Sequence, residues 1–268
     1  FGELMKAGLM HGDAAVCFGG TLETACIEPF LEDDCLQWRP AAEKSLDPEV
    51  IRPTGNVFAP EGGIRLLQGN LGRSLIKTSA VDPDRHNITA PAVVISHQNE
   101  LRPLFERGEL DRDCVIVARF QGPAANGMPE LHQLMPTLGV LQDRGHAVAL
   151  VTDGRLSGAS GKVPAAIHVT PEAARGGAIG RIQNGDIISL NAATGELSVA
   201  LEDKALANRP HPESPVEKLT VGRGLFGFSR EVVSDAECGG CALFGPPIID
   251  ALSEAERSHT AAYVHCAS

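Results

Sequence analysis

The stretch "CVIVARFQGPAANGMPELHQLMPTLGVLQDRGHAVALVTD", Cys114 to Asp153, decides the fold. It opens on the apolar run "CVIVARF" and closes on "HAVALVTD", each of strand length. Between them Leu131, Leu134, Met135, Leu138 and Leu141 recur at spacings of three and four, which puts them on one helix face, and Pro129 suits the first helical position. Strand, helix, strand is a crossover unit, and a crossover joins parallel strands. The two runs are apolar throughout instead of alternating, so both strands are expected to be buried on two faces.

Further strand-like runs lie on either side: "IRLLQG" from Ile64, "PAVVISH" from Pro91, "AAIHVT" from Ala165, "DIISLN" from Asp186 and "ELSVAL" from Glu196. The turn-like "QNGD" and "AATGE" make the last of these a meander or hairpin. A compact mixed α/β domain over residues 61–244 follows. Residues 1–60 are rich in turn-formers and acids, as in "EPFLEDD", and read as a connector with short helical stretches. Leu4, Leu9 and Met10 suggest an amphipathic helix at the start, which points to a piece of a larger protein. Residues 245–268 have no assignment.

Composition narrows the function classes. Lys and Arg total 23 against 34 acidic residues, a formal charge of −11, and no basic run is interleaved with aromatics, so nucleic acid is not an expected partner. No apolar run approaches the roughly 20 residues that span a bilayer, and "FGELMKAGLM" lacks the layout of a signal peptide. Seven scattered cysteines fit a reducing compartment better than a disulfide framework. A cytoplasmic location is expected, with no membrane partner.

Two loops should open on the same edge of the sheet, where α/β proteins usually bind ligands. The first, "VTDGRLSGASGK" from Val151 to Lys162, sets Ser157 and Ser160 between Arg155 and Lys162. A Walker loop fails here, because Leu156 stands where its first glycine belongs and Val163 follows Lys162. A nucleophile elbow fails too, since neither serine has glycines at both −2 and +2. A plain glycine-rich turn and a ligand loop both remain open. In the second loop, "RFQGPAANGMPE" from Arg119, Glu130 would sit in the first helical turn, either as a dipole-stabilising carboxylate or as a ligand for a hard cation such as Mg2+. "CGGC" at Cys238 to Cys241 is a single pair, and Cys17, Cys26 and Cys35 are spaced by nine, so none reads as a metal ligand.

Taken together, "GNLGRSLIKTSAV", "QGPAANGMPELHQLMPTLGVL", "VTDGRLSGASGKVPAAIHVTPEA" and "NGDIISLNAATGEL" resemble the C-terminal part of the dihydroxy-acid and sugar-acid dehydratase family. The resemblance runs from Phe1 to about Phe244. It implies the tail of a large α/β domain followed by a swivelling β/β/α domain with a barrel-like mixed sheet. It also implies a hydro-lyase that turns a 2,3-dihydroxy acid into a 2-keto acid, using an iron–sulfur cluster of the 4Fe-4S kind whose ligands lie outside this chain, and Mg2+. By motif, Ser157 corresponds to the family's general base, acting as an alkoxide, and Glu130 to an Mg2+ ligand. Arg155, Ser160 and Lys162 are expected to bind substrate. The implied partners are a small phosphorylated sugar acid, the missing N-terminal domain and a second copy in a homodimer. The rivals are an unphosphorylated sugar acid or branched dihydroxy acid as substrate, and a non-catalytic anion-binding module. The isolated chain is expected to be inactive.

Overall fold

The computed structural model describes residues 1–42, 44–157, 161–215 and 221–243, so Ser160 and the tail 245–268 lie outside the described residues. The chain divides into two compact units, Phe1–Gly62 and Gly63–Ser268.

In the first unit the helix covers only Gly2–Lys6, with Leu9 exposed beyond it, so the expected amphipathic helix is a single turn. The stretch read as turns holds a hairpin instead, β1 (Ile27–Glu32) antiparallel to β2 (Cys35–Pro40). Its two-residue turn places Asp33 and Asp34 at φ of 51° and 59°, the left-handed pair that suits a tight hairpin. None of the described residues of this unit is buried.

The second unit is built on a closed eight-stranded barrel. Its strands are β3 (Ile64–Gly69), β4 (Gly72–Lys77), β5 (Asn87–Ile95), β6 (Cys114–Ala118), β7 (Val148–Thr152), β8 (Ala165–Thr170), β9 (Ile187–Asn191) and β10 (Glu196–Val199). They close in the order β10-β3-β4-β8-β7-β6-β5-β9. The sheet is mixed: β5, β6, β7 and β8 run parallel as neighbours, and β9 and β10 form the expected antiparallel hairpin. The barrel and the mixed sheet agree with the sequence reading, which had missed β4.

Alternation explains why the central runs are apolar without a break. Val115, Val117, Ala149 and Val151 join a cluster drawn from all eight strands and fill the barrel interior. Their neighbours Cys114, Ile116, Ala118, Val148 and Leu150 face outward against Leu131, Leu134, Leu138 and Leu141. Fully burying side chains of this size contributes about 1.5–3 kcal/mol each.

The helix carrying those leucines starts later than its stripe. A 3-10 turn covers His132–Leu134 and the α-helix covers Met135–Asp143. Pro136 is the physical reason: it has no N–H to donate backward and is tolerated only in a first turn. Glu130 therefore does not stand in a helical first turn, and the dipole reading of it falls away.

Candidate functional site

Because β5 to β8 are parallel neighbours, the loops that follow them share one edge of the barrel. One buried carboxylate ties three of these loops together. Asp153, fully buried at the end of β7, accepts backbone N–H groups from Phe120 at 3.1 Å and Gln121 at 2.8 Å after β6, and from Ala173 at 2.9 Å after β8. Burial pushes its carboxyl up to about 6, although the three amides pull the other way and nearby Glu172 adds to the rise.

Glu172, also buried, accepts the N–H groups of Ala124 at 2.9 Å and Ala125 at 3.1 Å, in the first turn of the short helix Pro123–Asn126. Burial raises its carboxyl as well. Gln121 donates its amide to Ser96 O at 2.7 Å after β5 and accepts from Asn126 at 3.2 Å. The loop from Phe120 to Met128 is thus held from beneath by buried polar groups with their hydrogen bonds made, which rigidify a site.

On this support the sequence-predicted residues meet. Glu130 and Arg155 pair as a parallel β-bridge, and Leu131 N–H donates to Arg155 O at 3.3 Å. The Arg155 guanidinium donates to Glu130 Oε2 at 3.0 Å and, through Nε, to Met128 O at 2.8 Å. Ser157 N–H donates to Glu130 Oε1 at 2.9 Å, so the carboxylate bridges the arginine and the serine. Ser157 and Arg155 are exposed at the rim. Lys162 is exposed, and its carbonyl accepts Gln142 Nε2 at 3.2 Å.

Backbone strain gathers at the same place. Of the five described non-glycine residues with positive φ, two form the β1–β2 turn and the other three are Phe120 (61°), Met128 (52°) and His168 (57°). Phe120 and Met128 flank the loop that ends in Glu130. His168 lies where β8 shifts register against β4, and a strand irregularity of this kind re-aims side chains. Burial and the charge of Arg155 hold its imidazole below the usual range. Left-handed non-glycine residues cost of order 1–3 kcal/mol and concentrate at functional sites. Asp153, Glu172, Gln121 and His168 escaped the sequence reading, and the one signal was an acid closing each of the runs "HAVALVTD" and "AAIHVTPE".

A cleft of about 370 Å3 opens next to this bridge, lined on one side by Pro123, Asn126, Gly127 and Met128 and on the other by residues 222–242.

Cofactor fit can be tested on the same residues. Among the described residues no group of three or more His, Cys, Asp or Glu side chains converges, so an iron–sulfur cluster does not fit the ligands present. Mg2+ takes one or two carboxylates together with water and substrate oxygens, and Glu130, partly exposed at the rim, fits as one such ligand.

Comparison with known proteins bears on the same loops. Residues 49–240 match the family model described as dihydroxy-acid/6-phosphogluconate dehydratase, C-terminal. The chain is 53% identical over 243 residues to phosphogluconate dehydratase of Escherichia coli (strain K12), covering 90% of this chain and 40% of that protein. It is 50% identical over 242 residues to phosphogluconate dehydratase of Pseudomonas aeruginosa, with the same coverage. Against dihydroxy-acid dehydratase of Wolinella succinogenes it is 34% identical over 225 residues, 82% of this chain and 39% of that one. The chain thus spans about 40% of the length of the curated relatives it matches. With a barrel whose strand-end loops carry the matched motifs and a family match across most of its length, the chain belongs to the dihydroxy-acid/6-phosphogluconate dehydratase family, in its C-terminal part.

Proposed function

We propose that this chain is the C-terminal portion of a phosphogluconate dehydratase, a hydro-lyase that removes water from 6-phosphogluconate to give 2-keto-3-deoxy-6-phosphogluconate, the dehydration step of the Entner–Doudoroff route. The observation that carries the reading is the three-residue bridge: Glu130 accepts from both the Ser157 N–H and the Arg155 guanidinium on a strand edge braced by Asp153.

The chemistry asks for a base at the carbon next to the carboxylate. Ser157 Oγ, as the alkoxide, takes the C2 proton, the C2 electrons form the C2–C3 double bond, and the C3 group departs as hydroxide, which takes that proton from Ser157 to leave as water and restore the alkoxide. The enol so formed tautomerises to the ketone. Ser157 is positioned for this by its amide, which Glu130 holds at 2.9 Å. Mg2+ bound at Glu130 would supply positive charge for the enediolate that develops as the proton leaves. Arg155 neutralises Glu130 from the other side and clamps the loop through Met128 O. Arg155, Ser160 and Lys162 are the proposed substrate contacts within this loop. The cluster ligands and the remaining Mg2+ ligands belong to the N-terminal domain. In this reading Phe1–Gly62 is the tail of that larger domain, which agrees with the unit having no buried residue among those described. The enzyme works as a cytoplasmic homodimer.

Ser157→Ala in the full-length enzyme is the test. Activity should fall by at least about a hundredfold, the usual loss for a proton-transferring group, with cluster and metal content unchanged. Ser160→Ala should do less. Equal damage from both substitutions would show that the base is not Ser157.

A further inference from the structure

We propose that the cleft between Pro123–Met128 and residues 222–242 is the subsite for the substrate's phosphate, with Arg223 and Arg230 supplying the charge. The proposal rests on the dehydratase reading above and assigns the end of the substrate remote from the reacting carbon.

Charge is the first argument. The chain carries a formal −11, yet the described residues lining this cleft include two arginines, Ser229 and Asn126, and among them no aspartate or glutamate. A guanidinium offers a planar fork that matches phosphate oxygens, which a point charge on lysine does not. Both arginines are held in place. Arg223 donates to Asn126 Oδ1 at 3.0 Å and to Ala125 O at 3.2 Å, and Arg230 donates to Arg223 O at 2.9 Å. Neither fork has to be ordered from scratch when an anion arrives, which lowers the cost of binding.

Position is the second. Met128 forms part of the cleft wall, and its carbonyl accepts Arg155 Nε, whose guanidinium also pairs with Glu130. Glu130 in turn holds Ser157. The cleft wall is thus joined to Ser157 through Met128, Arg155 and Glu130, while none of Arg155, Glu130 and Ser157 is among its lining residues, as suits the end of a six-carbon acid remote from the carbon that loses the proton.

Shape is the third. Gly127 and Gly222 line the cleft, and a Cβ on either would meet no atom within 4 Å, so the walls stand open at these two points. A volume of about 370 Å3 falls in the range of small-ligand sites, roughly 300–1,000 Å3.

The test uses the full-length holoenzyme and Arg230→Gln. KM for 6-phosphogluconate and the inhibition constant of inorganic phosphate should both rise about tenfold to a hundredfold, with a much smaller change in kcat, as expected for loss of a charge-assisted contact. Inhibition by gluconate, which has the carboxylate and lacks the phosphate, should hold at its wild-type value. Arg230→Lys should fall between wild type and Arg230→Gln, and it serves if the glutamine variant does not fold. A KM for 6-phosphogluconate unchanged in Arg230→Lys and Arg230→Gln overturns the proposal. So does an equal rise for gluconate, which would make the cleft a carboxylate site. A wild-type enzyme that does not dehydrate 6-phosphogluconate overturns the dehydratase reading instead, a distinct result.

Discussion

The Asp153 carboxylate accepts the Gln121 N–H at 2.8 Å across 32 residues of chain, pinning the end of β7 to the end of β6 inside the protein. Oδ2 of the same group takes the amides of Phe120 and Ala173, so both oxygens are in use. The contact matters for the proposed base and metal ligand, because Glu130 and Ser157 leave the barrel on the two strands it joins.

Asp153→Asn should cost about 1–3 kcal/mol at neutral pH, since an amide nitrogen replacing either oxygen would face a backbone donor. The pH dependence has a definite sign. Burial sets the folded carboxyl at about 6, above its ordinary 3.8, so the folded state holds the proton more tightly. The stabilisation from that proton is complete below about 4 and lost as pH rises through about 6, a swing of up to about 3 kcal/mol. Urea unfolding of wild type and variant should show the wild type's advantage shrinking from pH 4 to pH 7. An advantage independent of pH would mean that Asp153 is ionised throughout.

Glu130→Gln keeps the shape of the side chain and an oxygen for the Ser157 N–H, and removes the charge. Stability should barely change, because a partly exposed ion pair such as Glu130–Arg155 contributes about 0–1 kcal/mol. The Mg2+ concentration needed for half-maximal activity should rise about tenfold or more. A magnesium titration of the full-length enzyme decides between a ligand and a merely structural carboxylate.

Gly122→Ala should destabilise by about 1–3 kcal/mol through overpacking. A Cβ there would lie 2.3 Å from Glu172 Oε2 and 2.8 Å from Glu172 Cβ, pushing that side chain off the amides of Ala124 and Ala125. Gly139→Ala is the contrasting case. It lies inside Met135–Asp143 with nothing within 4 Å of the new methyl, so it should stabilise by about 0.5–1 kcal/mol. Thermal unfolding of the two variants reads both signs.

The 268-residue chain made alone should fold over its barrel, since two cores close within Gly63–Ser268, and should bind far less than stoichiometric iron after anaerobic treatment with iron and sulfide. Of its described cysteines, Cys114 is buried with its thiol pushed up to about 11, which disfavours the thiolate that a cluster requires. A keto-acid assay on 6-phosphogluconate should be blank. Stoichiometric iron together with product would place the whole site within this chain.

Local periodicity was enough for the parallel core of this fold. Where an element's character is written in its own residues, as in "CVIVA", "VALVT" and the leucine stripe, the sequence reading and the structure agree, because burial on two faces demands apolar residues at every position. β4 was invisible because Gly72, Arg73 and Ser74 carry no alternation. It is a strand because β3 and β8 pair with it on either side. The β1–β2 hairpin was hidden for a related reason, with no buried residue in either strand to mark an inward face. Pro129 and Pro136 both suit a first helical turn, and the α-helix begins at the second, as Met135–Asp143.

The sequence by itself determined the family, the barrel class and the two loops in which Ser157 and Glu130 lie, since contiguous residues carry all of these. Only the tertiary structure decided what holds the loops together. The donors to Asp153 stand 20 to 33 positions away, and the donors to Glu172 47 and 48 positions away. A buried carboxylate is tolerated only where such distant amides converge on it, and that convergence exists only once the barrel has closed.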